Sequence, residues 1–203
     1  MLFVHKKPIF LVFEGLDGTG KSSCAKRTAD LLGARYMTTP CETLRKHREE
    51  IIASFKGSQE AVHLFYLATV KAASDEVRIC LAEGKSVILD RYFLSTQAYA
   101  EFRGSQLNLD YAMETELIHA DITIYLEAPL EVRRERTAAR GCSTADNETL
   151  SPSADSMLRK AYGGRSSMPV VGKWLRLDTA QASIDEVVHT IAAYAVHWQR
   201  GVS

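Results

Sequence analysis

Residues 10–23 read FLVFEGLDGTGKSS, and Gly15, Gly20, Lys21 and Ser22 occupy every fixed position of G-x-x-x-x-G-K-[ST]. The spacing has a chemical reason. Consecutive backbone N–H groups can wrap a phosphate only where the chain turns tightly without Cβ clashes, and glycines recur at Gly15, Gly18 and Gly20. A helix opening at Lys21 points its positive end at the same anion. From an exposed helix start, Lys21 is expected to reach the β- and γ-phosphates of a nucleotide, with the Ser22 hydroxyl on Mg²⁺. About seventy residues later, VILDRY ends an apolar run with Asp90 and Arg91. A carboxylate there can orient Mg²⁺ or its waters, and the Arg91 fork can clamp a phosphate bidentately. An isolated Asp–Arg pair would read as a strand-end ion pair; the glycine loop upstream favours phosphoryl transfer.

These groups need strands that end together and helices that begin there. Residues 9–14 form an apolar strand entering the loop, and 21–32 a helix that Gly33 ends as a C-cap glycine. A short strand at 34–37, a break at Thr38-Thr39-Pro40, a charged helix over 41–55 and a long helix over 59–83 follow. On the long helix Ala61, Leu64, Phe65, Ala68 and Ala72 share one face at i, i+3, i+4 and i+7 spacing, the pattern of a core face. Strands at 86–89, 121–127 and 174–178 alternate with helices at 94–100, 109–119 and 129–139, and an amphipathic helix spans 183–198. Pro129 suits a first helical turn. Residues 141–156 are polar, lack Lys and Arg, and read as a mobile loop; 157–162 reads as a helical turn. Alternating strands and helices argue a parallel sheet covered on both faces, in one domain.

The 25 basic and 25 acidic residues cancel, so no overall charge argues for a nucleic acid polymer or a membrane surface. The opening MLFVHKKP has no apolar signal region, and no stretch approaches the length of a membrane span. Cys24, Cys41, Cys80 and Cys142 are scattered without C-x-x-C spacing, which suggests reduced thiols in a cytoplasm. The six histidines are equally dispersed and read as surface or packing residues.

With these residues in view, the chain resembles the thymidylate kinase family of nucleoside monophosphate kinases. FEGLDGTGKSS is similar to that family's first loop, and DRYFLSTQAY to its DRY-x-x-S-x-x-AY motif. DITIYLEAPLEVRRERTAARG resembles the strand and helix before the lid, and LDTAQASIDEV the closing turn near the adenine. The resemblance covers essentially the whole chain. It implies a P-loop NTPase-type three-layer α/β fold with a five-stranded parallel sheet, ATP–Mg²⁺ as donor, a pyrimidine nucleoside monophosphate as acceptor, and a homodimer. A lid is implied at about 141–156.

The same resemblance assigns roles. Gly15, Gly18, Thr19, Gly20, Lys21, Ser22 and Ser23 hold ATP together with Arg136, while Ser22 and Asp90 lie at the metal. Arg91 holds the acceptor phosphate, Asp17 its sugar or phosphate, and Ser95 belongs to the same motif. Tyr99 packs on the sugar, and Phe65 either stacks on the base or packs in the core. Catalysis falls to Lys21, Asp17, Asp90, Arg91 and Arg140, whereas Arg133 and Arg134 read as a solvated helix face.

Departures from the family pattern bear on the acceptor. Thr69 stands where many members carry an arginine, Thr38-Thr39-Pro40 lacks the arginine of the R-E-P segment, and Tyr99 is followed by Ala100 and Glu101. Neither Gly18 nor the lid supplies the arginine that other members place there. These features look closer to the UMP/CMP-kinase-like branch. Arginine offers only donors, whereas a threonine hydroxyl donates or accepts, so base discrimination should relax. The expected reaction is transfer to a pyrimidine (deoxy)nucleoside monophosphate, with dTMP first. UMP/CMP kinase-like activity, a deoxynucleoside kinase using Glu14 or Asp90 as base, and a catalytically weak nucleotide-binding protein stay open as alternatives.

Overall fold

The computed structural model describes residues 7–141 and 148–201. Five strands form one all-parallel sheet in the order β2-β3-β1-β4-β5. They are β1 (Phe10–Gly15), β2 (Arg35–Thr38), β3 (Val87–Asp90), β4 (Ile122–Glu127) and β5 (Lys173–Asp178). β1 is buried along its whole length, as its apolar sequence requires of a central strand. Successive side chains on it point to opposite faces. Phe10 and Val12 join a core with α3 (Gln59–Ala82), α4 (Phe93–Phe102) and α7 (Pro152–Gly163). Leu11 and Phe13 join the other core, under α1 (Lys21–Leu32) and α8 (Ile184–Gln199). The expected three-layer α/β fold is therefore present.

Helix termini carry local signals. Gly33 ends α1 at φ 62° with its cap N–H groups returned to Ala29 and Asp30. Ser183 and Glu186 form a reciprocal capping box at the start of α8. Pro129 sits one residue earlier than expected, as the N-cap of α6 (Leu130–Arg140). The remaining helices, α2 (Glu42–Ser54) and α5 (Asp110–Glu116), lie on the surface and bury no residue fully. No helix among the described residues is long and apolar enough to cross a membrane.

Two expectations change. The core face of α3 is Val62, Leu67, Val70, Ala73 and Val77, whereas Leu64, on the face expected inside, is 52% exposed. The helix carries apolar residues on both sides, so periodicity alone cannot choose between them. The second concerns the segment before Tyr162. Part of the expected lid, 142–147, lies outside the described residues, and Pro152 already opens α7, twelve residues long. Ser151 caps it by accepting from Ala154 N at 3.1 Å, and Ala154, Leu158, Ala161 and Tyr162 form its buried stripe. Its polar first turn and small buried residues conceal that stripe in the sequence.

The corrected face of α3 is open to test by denaturant unfolding. Leu67→Ala should cost about 2–5 kcal/mol, whereas Ala68→Ser, one residue on, should stay within about 0.5 kcal/mol of the parent.

Candidate active site

The loop between β1 and α1 is shaped by what crowds it. A Cβ on Gly15 would lie 2.2 Å from the Leu126 carbonyl oxygen of β4, and the residue takes φ +135°. A Cβ on Gly18 would lie 2.7 Å from the Arg133 carbonyl oxygen, so α6 rests its backbone on the loop. Thr19 is buried and its hydroxyl donates to Leu16 O at 2.8 Å. Gly20 stands at the N-cap without a side-chain cap, leaving first-turn N–H groups of α1 available to an anion. Ser22 and Ser23 are exposed at this turn. Lys21 is not. It is 5% exposed, and its ammonium donates to Leu16 O at 2.7 Å across the loop. Burial, assisted by the neighbouring Arg91 cation, draws its pKa down to about 8, against the pull of Asp17 and Asp90.

Register brings the second constellation beside the first, since Phe13 of β1 pairs with Asp90 of β3. Both strands thus deliver their following residues to the same carboxyl edge of the sheet, the usual ligand side of open α/β sheets. Arg91 adopts φ 69°, a left-handed conformation unfavourable for a residue with a side chain. Its N–H donates to Phe13 O at 2.9 Å, and its carbonyl accepts from the Thr39 hydroxyl at 2.8 Å. So held, its guanidinium pairs with Asp17, donates to Ser95 Oγ at 3.3 Å and lies 5.4 Å from the centre of the Tyr99 ring. Tyr99 donates its hydroxyl to Asp17 Oδ2 at 2.6 Å. Burial would raise the Asp17 pKa, but Arg91 and Lys21 overcome it and hold the carboxyl well below the usual carboxylate range. Asp17, Arg91, Ser95 and Tyr99 therefore form one cluster.

Asp90 is 2% exposed; Oδ2 accepts from the Tyr36 hydroxyl at 3.4 Å, while Oδ1 has no partner among the described residues. A buried carboxylate oxygen left open beside the loop fits Mg²⁺ or its water. No cluster of three or more His, Cys, Asp or Glu forms a metal cage among the described residues. Ser22 and Asp90 would therefore share the ion with phosphate oxygens and water, the usual habit of Mg²⁺.

Glu14 has a role that its position in the sequence does not reveal. The carboxylate is fully buried and accepts from the N–H groups of Tyr92 at 3.0 Å and Ser95 at 3.1 Å, capping α4 from a different element. It also accepts from the Ser95 hydroxyl, whose oxygen lies 2.8 Å from the Tyr162 hydroxyl. Burial pushes the Glu14 pKa up despite these hydrogen bonds. With both oxygens engaged, it is a positioning group rather than a base awaiting a hydroxyl. An acid closing an otherwise apolar strand, FLVFE, was the available sequence signal.

On the donor side, a cleft of about 410 Å³ opens between the loop, α6 and the β5–α8 connection, and Gly18, Gly20, Ser23, Arg136 and Arg140 line it. Arg136 donates to Thr179 Oγ1 at 3.0 Å and Thr179 O at 2.6 Å, and so braces one wall. Arg140 ends α6 on the exposed side. Arg134 is exposed as expected, but Arg133 is 0% exposed, so that part of the solvated face is corrected. Helical periodicity explains it, because residue 133 lies under the loop and residue 134 turns outward.

Phe65 is half-buried and belongs to neither core, which removes the core-packing alternative; its ring centre lies 6.1 Å from Phe55 and 5.3 Å from Tyr66. Thr69 is buried, and its hydroxyl donates back to Tyr66 O at 2.8 Å. That leaves its oxygen only as an acceptor.

A family model described as thymidylate kinase matches residues 13–191. The chain belongs to the thymidylate kinase family. A probable thymidylate kinase of Pyrococcus abyssi is 30% identical to this family member, over 93% of this chain and 96% of its own length. The thymidylate kinase of Chlorobium luteolum is 36% identical over 59% of this chain and 62% of its own. A thymidylate kinase structure from Candida albicans shares the fold, with TM-score 0.73 over 97% of this chain and 93% of its own at 20% identity. These relatives lend no support to the UMP/CMP-kinase-like branch suggested by the departures in sequence.

Two predictions follow from the geometry of this family member. ATP phosphates favour the charged form of Lys21, so nucleotide binding above about pH 8 should take up a proton that binding at lower pH does not. Calorimetry in buffers of different ionisation enthalpy reads this uptake, and Lys21→Ala should abolish it. For Glu14, the alanine variant strands two buried N–H groups and should lose about 1–3 kcal/mol or more. Because its folded pKa is raised above 4.5, Glu14 contributes most stability in acid and loses it as pH rises through the folded value. Glu14→Gln should therefore gain on the parent as unfolding is measured at increasing pH.

Proposed function

We propose that this chain transfers the γ-phosphoryl group of ATP to dTMP. One observation carries the reading: the phosphate loop and the Arg91–Asp17–Tyr99 cluster leave the ends of adjacent strands, so two phosphate groups can meet between them. The family is one of ATP-dependent nucleotide kinases, and its named relatives are thymidylate kinases.

The acceptor phosphate is already an anionic nucleophile, so the protein has only to position reactants and balance charge. Lys21 moves from Leu16 O to the β- and γ-phosphates of ATP. Arg91 forks onto the acceptor phosphate, and Asp17 takes the sugar hydroxyl beside Tyr99. Arg136 and Arg140 serve the donor, and the loop from Gly15 to Ser23 wraps its phosphates. Ser22 and Asp90 would hold Mg²⁺, which would supply charge neutralisation at the phosphate oxygens. Phe65 stacks on the base.

Thr69 is the observation that favours a second reading, a UMP/CMP-kinase-like acceptor range. With its proton committed to Tyr66 O, the hydroxyl can accept from N3–H of thymine or uracil, or from the N4 amino group of cytosine. Such a contact discriminates by only about 1 kcal/mol. We read the chain as one kinase domain acting in the cytoplasm, in keeping with its free Cys24, Cys41 and Cys80. A homodimer belongs to this reading, and the exposed Leu64 and Ile79 of α3 offer apolar surface for a second copy.

A coupled assay with ATP–Mg²⁺ against every common (deoxy)nucleoside monophosphate tests the proposal. dTMP should give the highest kcat/KM, and Arg91→Lys should raise KM for dTMP about tenfold or more while leaving that for ATP within about threefold. Phosphorylation of nucleosides alone, or no transfer, would reject it.

A further inference from the structure

The donor cleft between the phosphate loop, α6 and the β5–α8 connection has two chemically different ends. Gly18 and Gly20 line one end with Ser23 on the first turn of α1, and that end suits phosphate. A nucleoside triphosphate anchored there puts its base against the other end, where Cys24, Ala182, Ile184 and Val187 stand. That wall is apolar. Burial pushes the Cys24 thiol up to about 11, so it stays uncharged. No Asp, Glu, Asn or Gln lines the cleft among the described residues.

Preferring adenine over guanine requires an acceptor facing position 6, because adenine presents an amino donor there and guanine a carbonyl oxygen. With no carboxylate or amide side chain on the cleft, backbone carbonyls are the candidates, and the β5–α8 connection carries them at Thr179 and Ala180. Arg136 holds both. Its Nη2 donates to Thr179 O at 2.6 Å and to Ala180 O at 3.5 Å. Its Nη1 donates to Thr179 Oγ1 at 3.0 Å, and that hydroxyl donates onward to Thr19 O at 3.0 Å. Further polar groups of the connection also turn inward. The Ala180 N–H donates to Asp178 Oδ1 at 2.8 Å, and Ser183 donates its N–H and its hydroxyl to Glu186 Oε2, each at 2.8 Å. Arg140, the other cation on the cleft, carries only donors and cannot accept from an amino group.

We propose that the donor site is indifferent to the purine it holds, because Arg136 occupies the carbonyls that would otherwise accept the adenine amino group, so that GTP serves as donor beside ATP. This deepens the kinase reading above and rests on it. With either donor, an oxygen of the acceptor phosphate forms a bond to the γ-phosphorus as the β–γ bridging P–O bond breaks. That bond's electron pair leaves on the nucleoside diphosphate. Arg136 is a positioning residue here, acting through backbone that it takes out of play. An apolar wall separates two purines of similar size only weakly, whereas a site built to hydrogen-bond one ring rejects the other by orders of magnitude.

The wild-type assay with ATP and dTMP comes first, because absence of transfer there refutes the kinase reading itself. Given transfer, kcat/KM for GTP should lie within about tenfold of that for ATP, and a wider gap in either direction overturns the proposal. Calorimetry with ADP and GDP reads the same cleft without chemistry, so it answers the question of the base even if no transfer occurs. Their Kd values should also agree within about tenfold, and a larger difference overturns the proposal. Arg136→Ala then tests the cause. Uncovering the carbonyls should weaken GTP more than ATP and raise the ATP-to-GTP ratio of kcat/KM about tenfold. A residue that merely braces the wall would weaken both donors alike, so a ratio that does not rise removes Arg136 from the explanation and overturns the proposal. Should Arg136→Ala fail to fold, Arg136→Lys, which cannot fork onto both carbonyls, is read by the same ratio.

Discussion

The buried carboxylate of Glu14 is the constraint on which the acceptor side depends. It stands at the end of the central strand and takes the first N–H groups of α4, so the helix begins where β1 ends. Ser95, Arg91 and Tyr99 then face Asp17 across the loop by construction. A carboxylate with water removed is expensive unless several donors meet it, and three do. The raised pKa records the residual cost. Stability here is exchanged for the fixed placement of one helix start.

Charge is arranged around that frame in layers. Lys21 and Arg91 oppose Asp17, and Arg133 shares Asp155 with Arg159. Lys21 and Arg91 are met by the protein's own groups, a loop carbonyl for Lys21 and a carboxylate for Arg91. In the proposed reaction, phosphates would replace these partners. The left-handed backbone at Arg91 is consistent with this exchange, because the guanidinium is aimed before a ligand arrives.

The donor side is built differently. There the walls are loop backbone and the β5–α8 connection, braced by Arg136 through Thr179. Thr179 in turn donates its hydroxyl to Thr19 O at 3.0 Å, coupling this wall to the loop after β1. Rigid backbone on one side and oriented cations on the other suit a reaction in which the protein contributes position and charge rather than covalent chemistry.

What the sequence by itself determined was the order of elements and the identity of the loop. Strict spacing of Gly15, Gly20, Lys21 and Ser22, with apolar strands alternating with helices, left little freedom in topology, and α1 runs from Lys21 to Leu32 as expected. Local chemistry governs such features. The tertiary structure alone decided which face of α3 is buried, because that helix is apolar on both sides and only the sheet selects one. It also decided the fate of individual charges. Glu14 and Arg133 look like ordinary polar residues in one dimension, and Lys21 like an exposed one. Glu14 is buried against the start of α4 and Arg133 against α7, elements tens of residues away whose packing no local pattern encodes.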